Sequence, residues 1–378
     1  MANSLHRNMD ILVIGAGVIG ASLAYRLARA GAAVTILEAL QVGGGTSGAS
    51  FSWTNSNGKT PRAYHDLNVA GMRAHAELRD EFDDVPWWHG SGNIEWATDG
   101  AKRQALQAKV ERLQSWGYSA ERLTPQQLIA MEPAVDPAAI ADAAIAYYPT
   151  EGWVDAVSYA HAMVEAAVRH GARLRTDTRV TSLHVFGGRI TGARTASGES
   201  FGADIIVNCA GHLADEVAGL AGARLPLASR AGLLVLTPPV PAPPQRILHA
   251  PQCSIRSDAG GRLMLHADEL DGELRPDAPP GPSAPLAHEV MRHAAAVLPG
   301  LAGVAPEAVR VGIRPIPADG LSAVGPQPGL DGYYAVVTHS GVTLAPFLGK
   351  AAAEEIVHGR TEPLLEPFRP SRFAGWIP

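Results

Sequence analysis

Six residues near the start of the chain, Gly15-Ala16-Gly17-Val18-Ile19-Gly20, constrain its fold more than any other feature. They follow a short apolar run, Asp10–Ile14. They precede an amphipathic stretch, residues 18–30, with Leu23, Leu27 and several alanines on one face and Gly31 as a stop. Ala33–Leu37 is a second apolar run. The order predicts strand, glycine turn, helix and strand, a βαβ unit of nearly minimal length. Glycines alone could mark a turn and nothing more. In this setting each has a chemical reason: Gly15 permits the tight turn, Gly17 lets a pyrophosphate approach bare backbone, and Gly20 lets the helix pack closely. Val18 and Ile19 open the helix, whose N-terminal amides and dipole favour an anion. Glu38, followed by Ala39, ends the second strand 18 residues beyond Gly20. A carboxylate there can accept both ribose hydroxyls and repel a 2′-phosphate, so the unit reads as a dinucleotide site.

The next segment points to FAD over NAD. Gly43-Gly44-Gly45-Thr46-Ser47-Gly48-Ala49-Ser50 follows the second strand directly, and its glycines and hydroxyls suit a loop wrapping the diphosphate from the other side. Gly45, Thr46, Ser47 and Ser50 are its candidate contacts. The extended FAD molecule needs such a loop as it runs toward a second domain. Further along, residues 87–97 alternate as a half-exposed strand would, 101–116 and 124–131 read as helices, and Thr124 and Pro125 suit the start of the latter. Residues 158–170 read as a helix, 174–185 and 189–194 as strands, and 203–209 as a buried parallel strand. Residues 229–265 look β-rich, between and around proline-rich loops at 237–245 and 275–285. Tyr333–Val337 reads as a buried strand, and residues 344–358 as a closing helix capped by Gly359. The expected architecture is α/β plus α+β. A Rossmann-type FAD-binding domain (1–85, 150–225 and 306–378) interleaves with a β-rich substrate-binding domain (86–149 and 226–305).

Composition narrows the function classes. The 378 residues carry 31 basic and 37 acidic side chains, a net charge of −6, with no basic stripe for a nucleic acid. Cys209 and Cys253 fit no metal spacing or disulfide framework, and no metal site is expected. Residues 1–10 are polar and lack the apolar core of a leader peptide, and every apolar run is broken before it could span a bilayer. A cytoplasmic protein without an integral membrane segment is expected.

The sequence resembles the D-amino-acid oxidase superfamily of FAD-dependent amine oxidoreductases, and within it the glycine oxidase, sarcosine oxidase and D-amino-acid dehydrogenase branches. Five separated places carry the resemblance. They are the glycine motif with Ala24-Tyr25-Arg26-Leu27-Ala28 and Glu38; Gly45-Thr46-Ser47 through Ser50; Glu151-Gly152-Trp153-Val154-Asp155; Val207-Asn208-Cys209-Ala210-Gly211; and Gly312-Ile313-Arg314-Pro315 with Asp319-Gly320, Gly325, Thr338-His339-Ser340-Gly341 and Leu344-Ala345-Pro346. The resemblance implies that Ala210 and Gly211 pass the cofactor with bare backbone and that Val180 meets the adenine by its main chain. It implies that Gly341, Val342 and Thr343 line the pyrimidine edge of the isoalloxazine. Relatives that bind flavin covalently carry a Cys where this chain has Gly312, and the histidine that others use near the Gly-Ser loop is absent, so a non-covalent flavin is expected. Residues 51–59 match no branch.

Two residues are candidates for the chemistry. Arg314 can pair a substrate carboxylate in a bidentate fork or make a structural ion pair between domains. His339 can polarise the flavin or touch substrate, or serve as a hydrogen-bonded structural residue. Trp87, Trp88, His89 and Trp96 can wall a substrate pocket or be plain core. Lys59 has surface exposure as its default. The expected reaction is oxidation of a small amino acid, or N-substituted amino acid, at its C–N bond by hydride transfer to flavin N5. O2 or a partner protein takes the electrons. Alternatives are 2-hydroxy-acid oxidation at the same site, a flavin subunit of a larger dehydrogenase, and an NAD-binding protein without flavin.

Overall fold

The computed structural model describes residues 9–82, 85–275 and 278–376. Residues 1–8, most of the segment too polar for a leader, lie outside them. The βαβ unit forms as the sequence implies: β1 (Asp10–Ile14), α1 (Val18–Arg29) and β2 (Ala33–Leu37). β1 is central in a six-stranded sheet, parallel to β2 on one side and to Ile205–Asn208 on the other. Tyr333–Val337 continues the parallel set, and Ala323–Pro326 closes that edge in antiparallel fashion. Alternation across β1 divides the core. Ile11 and Val13 pack with α1 and the helices Ala156–Arg169 and Gly341–His358, while Leu12 and Ile14 face the hairpin Val180–Phe186/Arg189–Thr195 and the helix Ala214–Gly219. Burial of both faces explains why these strands read as continuous apolar runs. The last helix ends at Gly359 with φ +67°, a left-handed cap that glycine adopts without strain.

A second, eight-stranded sheet has its own core, in which Ile94, Val235, Leu248, Ile255 and Leu265 meet the helix Pro285–Ala295. Its edge strand Ala308–Arg314, placed with the FAD-binding part from sequence, pairs in register along Arg230–Leu236. Two continuous strands expected from sequence are each divided. Residues 87–97 split into Trp88–His89 and Asn93–Ala97 across Gly92 at φ +77°, and the halves join different sheets. Residues 174–185 split at Asp177, φ +51°, where the chain leaves the parallel sheet for the hairpin. The helix Pro125–Met131 starts as expected, with Thr124 and Gln127 forming a reciprocal capping box. α2 (Arg62–Leu78) has no counterpart among the elements expected from sequence.

Candidate active site

The glycine turn is sterically closed to side chains. A Cβ on Gly15, whose φ is +103°, would lie 2.5 Å from the Cys209 carbonyl oxygen; one on Gly20 would lie 2.0 Å from the Gly15 oxygen. Gly20 thus packs against the turn itself and does not reach the cleft. Around the turn runs a cleft bordered by Gly15, Gly17, Val18 and Ile19. At one end Glu38, Ala39 and Val180 line it, and Ala210 and Gly211 lie along its wall. Glu38 is fixed by two backbone amides, Ala16 to Oε2 at 2.7 Å and Leu40 to Oε1 at 2.8 Å. A carboxylate has about four acceptor positions, so both oxygens keep capacity for ribose hydroxyls. Thr178, Arg179, His212 and Glu216 also border this end. Nothing in the sequence marks them as site residues, because none belongs to the glycine pattern.

The second loop covers the other side. Residues Thr46–Ala49 form one 3-10 turn over the start of α1, where Ser47 Oγ accepts from the Val18 amide at 3.1 Å. Thr46 Oγ1 donates to Ile313 O at 2.6 Å, tying the loop to the edge strand. Gly45, Thr46, Ser47 and Ser50 all border the cleft. Bare glycine backbone, helix amides without intrahelical acceptors and ringed hydroxyls fit the diphosphate of a dinucleotide.

At the far end Pro315, His339, Gly341 and Val342 border the cleft. Thr343 does not. It is buried, its hydroxyl 3.3 Å from the Asn55 amide, which donates to it, and 3.4 Å from Trp53 O. α2 backs this turn: His75 Nε2 donates to Val342 O at 2.9 Å, and burial lowers its pKa to about 4, so the ring is neutral. His339 is exposed toward the cleft. Desolvation, then the charges of Lys59 and Arg314, lower its pKa. Lys59 is half-buried, with its ammonium 5.8 Å from the centre of the Tyr64 ring.

Next to Ser50 and Pro315 in the chain, Phe51 and Arg314 belong to a half-buried cluster with Trp53, His249 and His266. The Trp53 and His249 rings are 4.1 Å apart. Arg314 itself is paired: Nη2 donates to Asp271 and, at 3.0 Å, to Ala231 O, with Asp268 3.6 Å from Nη1. Its Nε has no protein partner among the described residues. The loop supplying Phe51 and Trp53 is held by Glu151, wholly buried beneath it. That carboxylate accepts from Trp53 Nε1 (3.0 Å), Asn57 Nδ2 (2.9 Å), Asn93 Nδ2 (3.0 Å) and Tyr118 OH (2.6 Å). Burial pushes its pKa up, against the lowering by Tyr118 and Asn93. Trp87 and Trp96 are core, 4% and 2% exposed, so neither walls a pocket. Trp88 stacks on His75 and His89 on Trp153.

His266, Asp268 and Asp271 lie close enough together to suggest a cation site, but the Arg314 guanidinium already occupies their carboxylates. Both cysteines are buried, and burial raises their thiol pKa values. Among the described residues no helix is long and apolar enough to cross a membrane.

Residues 10–355 match the family described as FAD dependent oxidoreductase. The chain is 27% identical over 384 residues to the glycine oxidase of Geobacillus kaustophilus, an alignment covering 97% of this chain and 98% of that one. It is also 27% identical over 378 residues to an opine oxidase subunit of Agrobacterium tumefaciens, again covering 97% and 98%. The crystal structure of the Geobacillus kaustophilus glycine oxidase superimposes with a TM-score of 0.85 at 24% identity, over 97% of this chain and 99% of that one.

Proposed function

Because this chain belongs to the FAD-dependent oxidoreductase family and is a flavoenzyme, we propose that it oxidises a small amino acid or N-substituted amino acid at the C–N bond. The observation that carries this reading is that half-buried Arg314 directly precedes Pro315, which borders the cleft. The six-stranded sheet is then the FAD-binding domain and the eight-stranded sheet the substrate-binding domain. FAD, when bound, supplies the acceptor at N5 for the hydride leaving the substrate Cα.

The chain's own residues orient and exclude. The glycine turn, Glu38 and the Thr46–Ala49 loop hold the nucleotide half, and the Gly341–Thr343 turn aligns the reactive end. Arg314 meets the substrate carboxylate with donors left over from Asp271, fixing the Cα–H direction. Phe51 and Trp53 pack the apolar body and keep water out. Neutral His339 can accept a hydrogen bond at one ring nitrogen and donate one from the other. The substrate amine sheds its own proton, and no strong protein base is required. The flavin is held without a covalent bond: a Cβ at Gly312 would lie 2.4 Å from Ala49 O, so that position has no room for a thiol-bearing side chain.

The test is substitution of Arg314. Arg314→Lys keeps the charge and loses the rigid planar donor; it should retain FAD and lose much of the flavin reduction rate. Arg314→Ala should lose more, about 2–5 kcal/mol of transition-state stabilisation, with carboxylate substrates hit far harder than their amides. Equal losses for both would make Arg314 structural. A second reading, a flavoprotein that passes electrons to a partner chain, is favoured by the likeness to the opine oxidase protein of Agrobacterium tumefaciens, itself one subunit of its enzyme. It requires that the protein reduce a dye well and O2 poorly.

A further inference from the structure

The anchor proposed for the substrate carboxylate already carries one. Asp271 belongs to the 3-10 turn Asp268–Glu273, which follows the strand Leu263–His266. It is itself tightly placed. Its Oδ1 accepts from the Leu233 amide at 2.9 Å, and Oδ2 is 3.1 Å from His266 Nε2 and bonded to Arg314. Only 9% of its side chain is exposed. The sheet is shaped for the pair. Gly232 lies directly beneath, and a Cβ there would come within 3.3 Å of Arg314 Nη2 and 3.4 Å of Asp271 Oδ2. Asp268, mostly exposed, adds a second carboxylate 3.6 Å from Nη1.

We propose that Asp271 is a specificity-determining residue that neutralises Arg314 and restricts this site to amines bearing a single carboxylate, excluding dicarboxylates. The inference rests on the reading that Arg314 meets the substrate carboxylate. Asp271 is held by a backbone amide and His266 as well as by Arg314, so an incoming carboxylate shares the guanidinium with it and does not replace it. One ligand carboxylate still finds Nη1, because Nη2 is taken by Asp271 and Ala231 O and Nε is buried. A second meets Asp268 and Asp271, and like charges brought together at a partly desolvated site oppose binding strongly.

The experiment uses the FAD-loaded protein and two unreactive probes, acetate and malonate, with binding read from the shift of the flavin absorption spectrum. Wild-type protein should bind acetate more tightly than malonate. Asp271→Asn should tighten acetate by roughly tenfold and malonate by more, while the uncharged probe acetamide changes far less. Unchanged or weaker acetate binding in Asp271→Asn overturns the proposal, as does a wild-type preference for malonate. If Asp271→Asn does not retain FAD, Asp268→Asn at the exposed carboxylate carries the test. A smaller gain in the same direction is expected there, and no gain overturns the proposal. Arg314→Ala separates the two levels: equal acetate binding by wild type and Arg314→Ala removes the anchor reading itself, whatever Asp271→Asn does.

Discussion

At the scale of single residues, Glu38 shows how a sequence position becomes chemistry. Its carboxylate is held from behind by the Ala16 and Leu40 amides, so on the proposed reading it would meet a ribose without reorganising. Glu38→Ala should leave the fold intact and weaken FAD binding by about 1.5–3 kcal/mol, roughly ten- to a hundred-fold. Titration of apoprotein with FAD measures this, and an unchanged dissociation constant would place the ribose elsewhere. Glu38 was legible because strand, turn and helix fix its spacing from Gly20. Arg314 was legible only as a cation beside Pro315. Its pairing with Asp271 depends on a 3-10 turn 43 residues away in sequence, and no local pattern announces that contact. Glu151 was visible as part of a motif, but its role beneath residues 51–57 comes from donors on three separate segments.

At the scale of elements, the parts with strong local grammar were readable: the βαβ unit, the Thr124 capping box, the Gly359 stop. α2 was not, because its inward face mixes Leu67, Met72 and Leu78 with buried His65, Asn68 and His75, which blurs the apolar period. Two of those polar residues, His65 and His75, tie it to the 51–57 loop and the Gly341–Thr343 turn. Pro285–Ala295 was hidden behind the proline-rich stretch that ends at its first residue. The importance of α2 can be tested at Gly71, where a Cβ would lie 2.5 Å from Thr343 O and 3.0 Å from Leu344 Cδ2. Gly71→Ala must push the helix from the turn, costing about 1–3 kcal/mol of stability and weakening FAD binding. Thermal unfolding and FAD titration would show both; an alanine variant as stable as wild type would mean that the turn yields freely.

At the scale of the whole molecule, buried neutral histidines set an acid limit. His75 is 2% exposed, and burial lowers its pKa to about 4 from 6.5. Between those values the unfolded chain binds a proton that the folded one does not, so stability is full above pH 6.5 and falls as pH drops toward 4. One such group accounts for about 3 kcal/mol across the window. Urea midpoints should therefore fall between about pH 7 and 5, and His75→Gln should flatten part of that slope; a variant with the wild-type slope would assign it to other groups.

On the proposed reading FAD bound in the cleft meets an amine held at Arg314. Anaerobic addition of D-amino acids, glycine, N-methyl amino acids and 2-hydroxy acids to the purified yellow protein tests it most directly. The account predicts that an amine bearing one carboxylate bleaches the flavin, with release of ammonia or a free amine, and that heat or acid then frees FAD from the polypeptide. Bleaching by hydroxy acids alone, or by no carboxylate-bearing amine, would contradict it.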